Sequence, residues 1–319
     1  MKEFSAAFFA YDTLCSLRLW SDNEGQAHRA LDAAETAAMA VQNGLSMYDE
    51  QSELSRLCRD YTVGEAYLLS PLLADFLAEN LFFCERTGGA FDPTVGPLVK
   101  LWDFLADAPR VPEPAQVEAA LARVGWRHLR LDSARQTLTF TAPGLLIDPG
   151  ASGKGYALSL AAEAIRREGI SRAVLDFGGN LFAIGGKMGA AGEELPWRVA
   201  VRDPDDTADY VGTVELQSCG IATSSWYEHS FQKNGQIYHH LIDPRTGYPK
   251  PLDLKSVSIL SDRPAYTDFL STAFFLLGLE AGRTLVQTLC AETGAYLAFL
   301  AIDKDGLLHC SKNLHVQRR

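Results

Sequence analysis

The sequence predicts an α+β protein in which mostly antiparallel sheets are combined with several long helices. Three observations lead there: short strand-like runs joined by turns fill the second half of the chain, a few long stretches carry apolar residues at helical spacing, and the two kinds never alternate as strict βαβ units. At 319 residues the chain is roughly twice an ordinary domain in length. No linker, internal repeat or low-complexity segment divides it, so one domain over residues 1–319 is expected.

The opening MKEFSAAFFAYDTLCSLRLW reads as a first strand, because its apolar patch is too short and too soon interrupted by Tyr11 and Asp12 for an export leader. From Gln26 to Asn43, Ala27, Ala30, Leu31, Ala34, Ala38 and Val41 fall at helical spacing, with Gly44 as the expected stop. Ser70 followed by Pro71 announces a second helix, which Gly88 and Gly89 end. A loop rich in Pro, Ala and Asp covers Ala106 to Pro114, and a short helix follows from Ala115 to Val124. LRLD, TLTF and GLLID then read as short strands, and the glycine-rich turn GASGKGY opens a long helix closed by Gly169. AVLDF, LFAIG, WRVAV, GTVEL, GIATS, IYHHLID and SVSIL are further strand-like runs. A helix begins near Tyr266, and AYLAFLAID is a last strand.

Composition excludes several functions. Lys and Arg total 29 against 40 Asp and Glu, and a net charge of −11 argues against a sequence-independent grip on nucleic acid or on an anionic membrane. No apolar run approaches the ~20 residues that cross a bilayer, so neither a membrane anchor nor export is expected, and the cytoplasm is the expected compartment. Six cysteines are scattered with no C-x-x-C pair, which speaks against a zinc ribbon, an iron–sulfur cluster or a redox dithiol.

Three segments could carry chemistry. Ile147 to Tyr156, IDPGASGKGY, puts small residues and Lys154 between a strand and a helix, where backbone amides suit phosphate oxygens; it is not a P-loop, since Gly155 stands where Ser or Thr is required. In DRPAYTDFLSTA, Asp268 and Thr272 fall at i and i+4 on one helix face with Ser271 beside them, which offers oxygen ligands to a hard cation such as Mg²⁺ or simply a dipole-favoured Asp above a packed Thr. In YHHLIDPRTGYP, two histidines and Asp243 precede an Asp-Pro turn, and imidazole is the usual proton carrier near neutrality. GAFDPTVGP and DFGGN are turns that permit close backbone approach.

In this order these segments resemble the ApbE family of FAD:protein FMN transferases, from about Tyr11 to Leu279. The carriers are YDEQSELSRL, GAFDPTVGPLVKLW, IDPGASGKGYAL, LDFGGNLFAIGG, IATSSWYEHSF, HLIDPRTGYP and TDFLSTAFFLLG. The resemblance implies an ApbE-like fold and an enzyme that binds FAD and Mg²⁺, transfers FMN to a threonine hydroxyl of an acceptor protein and releases AMP. It implies FAD contacts at Tyr48, Ala90, Phe91, Asp92, Asp148, Lys154 and Ile242, and it puts Tyr11 where relatives carry a flavin- or adenine-contacting Met. Metal ligation is implied for Asp268, Thr272 and the Ala151 carbonyl, with Ser271 adjacent. His240 is implied as the group that assists proton removal from the acceptor, with Asp243 as the neighbouring carboxylate. Lys100 and Ser225 depart from the Asn and Gly common in the family. An FAD pyrophosphatase and a non-catalytic FAD-binding protein are the alternatives.

Overall fold

A computed structural model describes all 319 residues. Its centre is an eight-stranded sheet ordered Lys2–Ala10, Thr13–Ser21, Ala173–Phe177, Asn180–Ile184, Gly220–Ser225, Leu254–Ser261, Leu297–Asp303 and Leu308–Cys310. Every neighbouring pair is antiparallel. Both ends of the chain therefore build one sheet.

Eight helices accompany it: α1 (Glu24–Leu45), α2 (Glu53–Asp60), α3 (Pro71–Arg86), α4 (Gly96–Trp102), α5 (Pro114–Leu121), α6 (Gly153–Arg167), α7 (Pro264–Leu277) and α8 (Leu279–Thr293). α6 lies between α1 and α7, and α7 packs on the strands Gly220–Ser225 and Leu254–Ser261. The apolar stripe of α1 meets Leu17, Leu19, Leu175 and Phe177 of the sheet. Strand Leu297–Asp303 is buried on both sides: Phe299 and Ala301 face α7 and α8, whereas Ala298, Leu300 and Ile302 face the small sheet formed by Trp197–Arg202, Tyr210–Leu216 and Val316–Arg318. That double burial explains its unbroken apolar sequence.

Local chemistry sets the boundaries. Asn23 accepts a hydrogen bond from the Gln26 amide, and Ser70 accepts one from Leu73 at 3.2 Å just before Pro71. The opening segment is two strands rather than one, because Tyr11 and Asp12 take φ +54° and +57° and form a tight two-residue turn. Gly44 does not stop α1, which continues to Leu45. GLLID forms no strand and makes only a single bridge from Leu146 to Val95, and the strand in IYHHLID ends at His239. The helix beginning near Tyr266 is two helices, broken at Gly278 with φ +83°. All six cysteines are free, and no helix is long and apolar enough to cross a membrane.

Candidate active site

Two adjoining cavities, of about 470 Å³ and about 800 Å³, open beside the starts of α6 and α7. The smaller is lined by Tyr48, Ala90, Phe91, Asp92, Asp148, Ala151, Lys154, His240, Ile242, Asp268 and Thr272, so most of the residues singled out in the sequence meet there. Tyr48, Leu105, Asp148, Gly150, Lys154 and His229 belong to both cavities and mark their junction.

Each side chain is placed by its own local structure. α3 stops at Gly88 and Gly89, with φ +60° and +82°, and the loop beyond brings Phe91 to the wall. Asp92 anchors that loop by accepting hydrogen bonds from the Thr94 amide at 2.8 Å and the Trp126 amide at 2.9 Å, and burial pushes its carboxyl above the ordinary range. Asp148 accepts from the Gly150 amide at 2.7 Å, which shapes the turn into α6. Burial also raises Asp148, with the Gly150 amide and the Lys100 charge opposing it.

α6 and α7 touch at the most constrained point of the site. The Gly155 amide donates to Asp268 Oδ2 at 2.9 Å, and a Cβ on Gly155 would lie 2.5 Å from the Asp268 Cβ and 3.1 Å from the Ala265 carbonyl. Gly155→Ala gains about 1 kcal/mol of helix propensity but overpacks this contact at a cost of about 1–3 kcal/mol. We expect a net loss of stability, read as a lower urea midpoint; a higher midpoint would show that the helices separate freely.

The donors around Asp268 suit a hard cation. Oδ2 is held by Gly155, whereas Oδ1 accepts no hydrogen bond from the protein. Thr272 lies one turn further along the same wall, its hydroxyl 3.1 Å from that of Ser224, and Ala151 lines the same cavity. No group of three or more His, Cys, Asp or Glu gathers here, but carboxylate, hydroxyl and carbonyl oxygens are the set that Mg²⁺ takes. These residues therefore fit the ion.

The two adjacent histidines separate as strand geometry requires. His239 packs against Phe275 with Nε2 2.8 Å from the Lys250 carbonyl, and burial pushes it down to about 4. His240 lines the cavity; burial, then the neighbouring His229, pushes it down to about 3, so it is neutral at pH 7. Its Nδ1 is sealed from solvent without a partner, which leaves Nε2 as the open ring nitrogen. A hairpin holds it there. Strands Ser230–Lys233 and Gln236–His239 pair only with each other, around a tip at Asn234 and Gly235 with φ +52° and +77°. At its foot the His240 amide donates to the His229 carbonyl at 3.0 Å. An aromatic row of Phe104, Trp102, Tyr238 and Phe231 braces its side.

Three predicted residues stand apart. The Asp243 carboxylate lines neither cavity; it is closed on the Arg245 guanidinium at 2.8 and 2.7 Å and forms the Asp-Pro turn. Ser271 is turned into the protein, accepting from Ser224 at 2.9 Å and donating to the Asp268 carbonyl. Tyr11 lines only the larger cavity, and its hydroxyl donates to the Ala38 carbonyl. Conversely, Asn180, Thr223, Ser224, Glu228 and His229 line the smaller cavity without having been assigned roles from the sequence, and Asn180 Nδ2 is buried there without a partner. The available signal was hydroxyl residues at Thr223 and Ser224 inside an otherwise buried strand.

The family model for the ApbE family matches residues 11–297. The FAD:protein FMN transferase of Treponema pallidum (strain Nichols) is 34% identical over 299 residues, 90% of this chain and 82% of that protein. The protein of the same name from Escherichia coli (strain K12) is 34% identical over 248 residues, 76% and 69% of the two chains. Among solved structures, the ApbE protein of Thermotoga maritima superposes with a TM-score of 0.84 at 29% identity, over 98% of this chain and 97% of that one. The flavin transferase ApbE of Vibrio cholerae gives 0.84 at 26% identity over the same shares. Fold, cavity residues and relatives agree: the chain belongs to the ApbE family.

Proposed function

We propose that the protein is a Mg²⁺-dependent FAD:protein FMN transferase, which moves the FMN of FAD onto a threonine hydroxyl of an acceptor protein as a phosphoester and releases AMP. The observation that carries this reading is the convergence of Lys154, Asp268, Thr272 and His240, from three separate elements, on one cavity. The names of the relatives support its coarser part, the transfer of FMN from FAD to a protein.

The chain's own residues divide the work. Phe91, Leu241 and Ile242 give the smaller cavity an apolar wall for a flavin ring, with exposed Tyr48 at its mouth. Lys154, in the first turn of α6 and shared by both cavities, meets the diphosphate together with the amides at that helix start. Asp268, Thr272 and the Ala151 carbonyl would hold Mg²⁺, whose charge when bound offsets that of the phosphoryl oxygens. His240 accepts the threonine proton at Nε2 as the hydroxyl oxygen bonds to the flavin-side phosphorus, and the phosphorus–oxygen bond to AMP breaks. Asp243, occupied by Arg245, takes no part in that transfer.

Mass spectrometry tests the reading directly. Incubation with FAD, Mg²⁺ and an acceptor carrying a threonine flavinylation motif should add one FMN to that threonine and release an equal amount of AMP. Free FMN and AMP formed without acceptor would instead make the protein a pyrophosphatase, and unchanged bound FAD would make it a carrier.

A further inference from the structure

Positive charge is scarce in these cavities. Only Lys154 and His229 are both able to carry it and shared by the two, and His240, in the smaller one, is kept neutral by burial. His229 is exposed and stands at the foot of the hairpin with its ring 5.4 Å from that of His240, edge to face. The carboxyl groups lining the cavities around it are Asp12 from the opening turn, Asp92, Asp103, Asp148, Glu228 and Asp268. Against these carboxyl groups stands a single lysine, so a diphosphate crossing the junction meets repulsion unless further cations are supplied.

We propose that His229, in its imidazolium form, is a second cation for the diphosphate of FAD beside Lys154, and that it holds the phosphate of AMP as that group leaves. The inference rests on the transfer reading for the last step only. When the phosphorus–oxygen bond breaks, its electron pair stays on the AMP phosphate oxygen and the threonine proton goes to His240. His229 keeps its own proton and neutralises the oxygen charge.

FAD binding reports the role without any acceptor. The measurement is flavin fluorescence on the purified protein in EDTA at one fixed pH, with riboflavin as the probe that lacks phosphates. His229→Asn should weaken FAD binding about tenfold while riboflavin binding stays level, and His229→Lys should bind FAD at least as tightly as wild type. A His229→Asn protein that binds FAD as tightly as wild type overturns the proposal, as does a His229→Lys protein no tighter than His229→Asn. If His229→Asn weakens FAD binding yet wild type labels no acceptor, the transfer reading fails and the cation role stands.

Discussion

Replacing Asp268 by asparagine should reduce FMN transfer by about 10³-fold, equivalent to roughly 4 kcal/mol of transition-state stabilisation, while leaving the fold intact. Asparagine matches aspartate in shape, and its amide oxygen can still accept the Gly155 amide proton that joins α6 to α7. Only the charge is lost. That charge belongs to the carboxylate that lines the cavity beside Thr272, so its removal takes away the anionic ligand proposed for Mg²⁺. FMN added to the acceptor, followed by mass spectrometry, reads the effect, with thermal unfolding as the check on folding. Chelation of divalent cations should reduce wild-type transfer to a similar level. A variant that unfolds normally and transfers at the wild-type rate would remove Asp268 from the metal site.

His240→Gln should lower kcat by about 10²–10⁴-fold, the usual range for a lost proton acceptor, with FAD affinity unchanged. Glutamine retains a polar tip but cannot take the threonine proton. The pH dependence sharpens the test, because burial and then His229 push His240 down to about 3. It is therefore uncharged from neutrality down to about pH 5, and charging it requires far more acid than a solvated imidazole does. Steady-state kcat at saturating FAD should therefore not fall as pH drops through 6.5. A fall in kcat centred near 6.5, absent in His240→Gln, would mean that the imidazole is solvated in the working enzyme.

Much of the framework is legible in the chain because it depends on local chemistry. α1 follows from apolar spacing, and α3 from Ser70 and Pro71 at its start. The turn at Tyr11 and Asp12 is not, since neither residue is the glycine that usually marks two positive φ angles in succession. α8 merges with α7 in the sequence because Gly278 separates two equally helical stretches by a single residue. The site divides in the same way. Asp268 and Thr272 are visible as an i, i+4 pair, and Lys154 as the side chain at a glycine-rich helix start. His229 and Asn180 acquire meaning only from pairing: the hairpin register sets His229 opposite His240, and the sheet order sets the strand of Asn180 beside that of Thr223 and Ser224. Asp243 is the opposite case, because the sequence shows an acid beside a histidine but not that Arg245, two residues on, pairs with it.

The hairpin that carries His229 and His240 at its foot is paired to no other strand. Two-stranded ribbons are marginal by themselves, and this one leans on a row of aromatic rings. Its amides should therefore lose protection by local opening, well below the free energy that unfolds the strand Leu254–Ser261, and hydrogen exchange at residues 231–238 should run ahead of exchange at 254–261. Equal protection would show that the ribbon opens only with the whole molecule. With that order of opening, the groups proposed to bind phosphate and cation stay on α6 and α7 while the two imidazoles move with the ribbon, so the proposed acceptor chain is admitted without disturbing those helices.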